Sequence, residues 1–196
     1  MLVNRVHLPT GANILILEQV FPPDLRAELH QLCERWSHVD REQWITPEGF
    51  EGRPRWLYRG NSSEYLAAEK FLSAPEFAAR LQGEVHRDDL EYSHMQLWVE
   101  QQGMGPLGAH KEQAGAFLAQ IYLTETEHSY TGTTMYNDKQ QVLFQLPYRD
   151  NFGWFFDTGR TVMHGREHDI PAGIDRFAIM VWFGERYIGQ SARPIV

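Results

Sequence analysis

His110 and Glu112 stand two residues apart, separated by Lys111, and a further histidine, His164, ends the apolar run RTVMH fifty residues on. In an extended segment, alternate side chains share a face, so an imidazole and a carboxylate at this spacing point the same way with backbones about 7 Å apart. Alone, His-x-Glu is a common chance pairing and reads equally as a solvated loop edge. With His164 from a second strand the set becomes two imidazoles and one carboxylate. Such a set covers one face of an octahedral non-haem Fe(II) and leaves positions open for O₂ and a chelating cosubstrate. Arg176 follows twelve residues later and opens the strand RFAIMVWF. Strand alternation puts Arg176, Ala178, Met180 and Trp182 on one face. If that face is inward, the guanidinium needs an anionic guest, because a buried charge without a partner is costly. If it is outward, Arg176 is a solvated strand end.

These residues need strands to hold them. From about residue 92 the chain alternates short apolar runs with Gly-rich turns: 93–100, 115–123, 133–137, 141–146, 152–157, 160–164 and 176–183. Seven such runs predict a β-sandwich or barrel. Upstream, 14–20 reads as a buried strand, and Asp24 as the N-cap of a helix carrying Leu25, Leu29, Leu32 and Trp36. A second helical zone covers about 64–82 and breaks near Ser73-Ala74-Pro75, with Pro75 opening a new helix. The class is therefore α+β, mainly β, with N-terminal helices packed on one sheet. The chain reads as one domain, with a helical support region at about 1–91, a β core at about 92–184 and a short tail at 185–196.

Residues 38–63 mix Pro47, Gly49, Gly52, Pro54 and Gly60 with Trp44, Phe50, Trp56 and Tyr58, and read as a long loop with one strand near 56–58. Arg41, Arg53, Arg55 and Arg59 lie in it. It reads either as a lid over an anionic or peptide substrate, with Arg55 at its strand, or as a solvated loop packed by its own aromatics. Strand parity makes Trp98 and Trp182 candidates for a substrate pocket; the other aromatics are mainly core.

Composition narrows the classes. A length of 196 residues with 42% hydrophobic residues suits one domain with a sizeable core. The net charge of −8, from 18 basic and 26 acidic residues, argues against a nucleic-acid reader, whose affinity rests on phosphate neutralisation. One cysteine, Cys33, excludes an internal disulfide and fits a reducing cytoplasm. No run approaches the ~20 apolar residues of a membrane span. Nothing sets an oligomeric state. His164 and His168 share the i, i+4 spacing of a zinc helix, but Gly165, Pro171 and Gly173 oppose a helix there and no Glu follows His164.

In these motifs the sequence resembles the 2-oxoglutarate- and Fe(II)-dependent oxygenases, especially their prolyl-hydroxylase-like branch, over about residues 92–184. His110-Lys111-Glu112 resembles the family's metal pair. FLAQIYLT resembles the strand whose tyrosine, here Tyr122, often contacts the cosubstrate. Thr131-Gly132-Thr133 resembles its Gly-containing turn, and NFGWFF, TVMHG and RFAIMVWF resemble its closing pattern of aromatic strand, distal His and Arg. The resemblance implies a double-stranded β-helix (jelly-roll, cupin-like) and Fe(II) on His110, Glu112 and His164. It implies that Arg176, with Tyr122, holds the far carboxylate of 2-oxoglutarate, and that O₂ is consumed to hydroxylate a small molecule, amino acid or peptidyl side chain. Two departures stand out. The family more often has Asp where this chain has the longer Glu112, and the spacing from His164 to Arg176 is long. Two other readings remain: a catalytically silent barrel that only binds, and a cupin-like metal enzyme that does not use 2-oxoglutarate.

Overall fold

The computed structural model describes residues 1–8, 11–36, 41–86, 90–111, 116–157 and 162–184. Glu112 and the 185–196 tail lie outside them. Twelve strands and three helices occur among the described residues, and every strand pairing is antiparallel.

The most apolar runs form the centre of the larger sheet. These are β5 (Tyr92–Glu100), β7 (Ala116–Leu123), β10 (Phe152–Asp157) and β12 (Arg176–Gly184). The N-terminal segment adds β1 (Leu2–His7) and β2 (Asn13–Glu18) at one edge, and β3 (Trp44–Ile45) and β4 (Arg55–Tyr58) at the other. The order is β1-β2-β10-β7-β12-β5-β4-β3. Facing it is a smaller sheet, in the order β6-β11-β8-β9, built from β6 (Leu107–His110), β8 (Thr134–Tyr136), β9 (Val142–Gln145) and β11 (Met163–Arg166). This is a double-stranded β-helix. Strands before residue 92 complete its larger sheet, so the N-terminal part contributes more than helical support.

Both faces of the large sheet are covered, which is why its central strands carry apolar residues at nearly every position. On one face Phe177, Ile179, Val181 and Phe183 of β12 pack with Leu97, Val99, Ile121, Leu29, Leu32, Leu72 and Leu81 into a helix-on-sheet core. On the other, Ala178, Leu118, Tyr122, Trp154 and Phe156 pack towards Met135 and Leu146 of the small-sheet side. Each fully buried Leu, Ile, Val or Phe contributes about 1.5–3 kcal/mol. Slipping β12 by one residue would put Arg176 into the helix core and Phe177 into the cavity, so burial fixes the register.

The helices are α1 (Pro23–Arg35), α2 (Ser63–Leu72) and α3 (Pro75–Val85). Proline, with its φ preset, starts α1 and α3. The Asp24 N-cap expectation is corrected: Pro22 is the N-cap, and Asp24 sits in the first turn, where its charge favours the helix dipole. Ser62 caps α2, its hydroxyl accepting from the Tyr65 amide at 3.3 Å. Asp150 ties α1 to the sheet by accepting from His30 Nε2 at 2.8 Å and from the Thr124 amide at 3.1 Å. No helix of the described residues is long and apolar enough to cross a membrane.

Candidate metal centre and its anion pocket

β6 and β11 lie side by side with His110 directly opposite His164. Their ring centroids are 4.5 Å apart, with planes tilted by 51°. The two imidazoles, remote in sequence, thus share one point. His110 is exposed at the mouth of the site. His164 is 5% exposed, with its ring against Trp154 and Phe156 at 5.3 Å from each. His110 Nδ1 lies 2.8 Å from the Gly108 carbonyl oxygen. With the proton on Nδ1, that bond orients the ring and leaves the Nε2 lone pair for an ion. Among the described residues no group of three His, Cys, Asp or Glu side chains converges on one point. The expected third ligand, Glu112, lies outside them. The histidine pair fits a metal with nitrogen ligands and an open coordination face.

Close approach of β6 and β11 depends on Gly165. A Cβ there would stand 2.4 Å from the Leu107 carbonyl oxygen and 2.9 Å from that of Gly108. Gly165→Ala must therefore push β6 away from β11 and move His110 off His164. Misplacement on the ångström scale is costly, and the expected outcome is at least about a tenfold loss of Ni(II) affinity by calorimetry, with the aromatic near-UV spectrum of the large sheet retained. Unchanged affinity would mean that the strand spacing does not set the pair.

Behind the histidines lies a cavity of about 240 Å³, lined among others by Arg55, Glu100, Gln120, Thr133, Arg166 and Arg176. Arg176 faces inward, the first of the two alternatives that the sequence leaves open. Its partner, however, comes from the protein. Nη1 donates to Glu100 Oε2 at 2.7 Å, and Nε donates to the Thr131 carbonyl at 2.7 Å. Glu100 is also flanked by Arg55 Nε at 3.4 Å and by Arg166 Nε at 3.9 Å. The ladder explains the arrangement: Arg55 of β4, Glu100 of β5 and Arg176 of β12 stand in one cross-strand row, and Arg166 reaches across from the small sheet. Glu100 and Arg166 are each 1% exposed.

Burial alone would raise the Glu100 pKa, but Arg176, Arg55 and Arg166 hold its carboxyl below the ordinary range. Burial would lower the Arg176 pKa, yet Glu100, with Tyr122 and Tyr148, holds it above the usual arginine value. Arg166 is pushed down to about 10 by burial, with Glu100 opposing and the two neighbouring guanidiniums adding to the shift. Its Nη atoms donate to backbone carbonyls of Met104, Gly105 and His168, tying the 101–105 turn to β11.

Tyr122 packs its ring under Arg176, with the guanidinium carbon 5.1 Å from the centroid. Its hydroxyl is engaged with Thr133 Oγ1, which donates to Gln120 Oε1 at 3.1 Å. Gln120 and Thr133, rather than Tyr122, form the cavity wall. Arg55 lies between the rings of Phe50 and Trp98, 4.4 and 4.3 Å from their centroids. Trp98 therefore borders the cavity through Arg55. Trp182 faces the same side of the sheet but stacks on His94 at 4.5 Å rather than lining the cavity.

Glu100 and Arg166 are additions to the residues singled out in the sequence. The signal for Glu100 was its parity with Trp98, two residues earlier on an inward face; for Arg166 it was parity with His164.

No family model matches the sequence, and no curated protein matches it. Solved structures do match. A prolyl-4-hydroxylase from Pseudomonas putida superposes with a TM-score of 0.65 at 17% identity, over 88% of this chain and 92% of that one. A prolyl hydroxylase from Trichoplax adhaerens, in complex with a hypoxia inducible factor peptide fragment, gives 0.65 at 13% identity over 87% and 83%. HygX from Streptomyces hygroscopicus, with nickel and 2-oxoglutarate bound, gives 0.58 at 14% identity over 92% and 85%. The chain thus has the fold of the 2-oxoglutarate- and Fe(II)-dependent oxygenases. Prolyl hydroxylases are among the structures that share it.

Proposed function

We propose that this chain is a non-haem Fe(II) oxygenase that couples decarboxylation of 2-oxoglutarate to hydroxylation of a small molecule, an amino acid or a peptidyl side chain. The observation that carries this reading is the His110–His164 pair, 4.5 Å between rings, at the mouth of a cavity whose wall holds Arg176. His110 and His164 would hold the iron, with Glu112 as the third ligand. When bound, Fe(II) supplies the redox chemistry by which 2-oxoglutarate and O₂ yield succinate, CO₂ and an oxidised substrate. The Gly108 carbonyl orients His110. Trp154 and Phe156 keep water from the inner side of His164. Arg176 supplies the cation for the far carboxylate, and Tyr122 positions Arg176 from below. Arg55 stands beside Glu100 in the inner cavity, and Trp98 and Trp182 would be the residues that meet the substrate.

Adding 2-oxoglutarate to the anaerobic Fe(II) protein is expected to produce a weak visible charge-transfer band. Succinate release should then appear in a screen of amino acids, peptides and acidic metabolites, and disappear in Arg176→Ala. A binding-only barrel or a metal enzyme indifferent to 2-oxoglutarate would show no band, and that result would end this reading.

A further inference from the structure

The cation expected to receive the cosubstrate's far carboxylate already holds one. We propose that Glu100 is a resident counter-ion at the distal-carboxylate position, and that it sets cosubstrate affinity by passing from Arg176 to Arg55 and Arg166 when a dicarboxylate enters. The inference rests on the oxygenase reading and adds to it a residue that determines cosubstrate specificity.

Three observations carry it. First, the Glu100–Arg176 contact is short, at 2.7 Å, and buried at the cavity wall, so an incoming carboxylate meets a guanidinium already engaged. Second, Glu100 has two further cations beside it at 3.4 and 3.9 Å, near enough to attract it and longer than the Arg176 bond. A small rotation of the carboxylate shortens these contacts at the expense of the first. Third, the guanidiniums of Arg176, Arg55 and Arg166 converge on this one carboxylate, at 2.7, 3.4 and 3.9 Å. The guanidiniums repel one another, so a second carboxylate among them is favoured once Glu100 moves aside. A carboxylate serving only to neutralise one arginine would not need three of them. Binding of the far carboxylate is then an exchange of partners, and its net gain is the small difference between two sets of ion pairs.

The test is calorimetric titration of the Ni(II)-loaded protein with 2-oxoglutarate and with pyruvate, which shares the 2-oxo acid end and lacks the far carboxylate. A charged hydrogen bond that displaces nothing improves affinity by roughly 10- to 150-fold. Exchange predicts that the wild-type protein prefers 2-oxoglutarate over pyruvate by about tenfold or less. Glu100→Gln keeps the shape and removes the charge. It should tighten 2-oxoglutarate by about tenfold or more while pyruvate moves by less than about twofold. A wild-type preference above about 100-fold, a folded Glu100→Gln protein that binds 2-oxoglutarate no tighter, or equal tightening of both ligands overturns the exchange alone. Binding of neither ligand to either protein overturns the oxygenase reading and the exchange with it. Should Glu100→Gln not fold, Glu100→Asp, whose shorter side chain draws back from Arg176, decides the matter with the wild-type ratio: intermediate tightening supports the exchange and none refutes it.

Discussion

His164→Ala is expected to cost at least about two orders of magnitude in Ni(II) or Fe(II) affinity and to abolish succinate release. Merely disturbing the hydrogen-bond partner of a metal ligand typically costs 10- to 100-fold, and a direct ligand is worth more. A misfolded variant would give the same loss, so the check is linkage. Metal at about 100 times its Kd stabilises the wild-type fold by ~2.7 kcal/mol. The wild-type melting temperature should therefore rise on adding Ni(II), and that of His164→Ala should stay where it is. Without metal the two proteins should melt close together, because the imidazole sits in a ring-lined site where its loss removes a polar group as well as contacts. A variant that still gains stability from Ni(II) would move the centre away from the β6–β11 pair.

The second large effect is on stability. Arg176→Ala leaves Glu100 buried without its short partner. Breaking a buried ion pair from one side costs about 3–5 kcal/mol, and the lower figure applies here because Arg55 and Arg166 still face the carboxylate. Urea denaturation measures it. The pH dependence gives an independent check. Glu100 has a folded pKa below its unfolded value near 4.3. Its contribution is thus fully present above that value and is lost as pH falls through the lower folded one. Removing Arg176 raises the folded pKa, so acid unfolding of the variant should begin at higher pH than in the wild-type protein. Coincident acid transitions would mean that Arg176 is not what keeps Glu100 ionised.

Much of this architecture is written in side-chain alternation. RFAIMVWF, FLAQIYL and SHMQLWVE each place one set of residues towards the helices and the other towards the cavity, and the parity of Arg176 and Trp98 follows from that alone. The distal histidine was legible because a β-rich run led up to it, although its strand begins later and extends to Arg166. Other parts were hidden for physical reasons. LVNRVH has no apolar stripe, because β1 is an edge strand paired on one side only. LGAH has little intrinsic β propensity, and pairing with β11 makes β6 a strand. Glu100 is a charged strand end whose only local signal is its parity with Trp98. Only the cross-strand neighbours Arg55 and Arg176, 45 and 76 residues away, make its burial affordable, and no local pattern announces them.

The seating of β2 between β1 and β10 bears on how the chain is made. Glu18 pairs with Phe152, so the N-terminal hairpin cannot reach its sheet until most of the chain has left the ribosome. Loop closure over such separations slows the search. Meanwhile ILIL, buried in the finished protein, waits with exposed apolar side chains and open backbone hydrogen-bonding groups. Nascent chains stalled before β10 should be the species most prone to self-association and most dependent on chaperones.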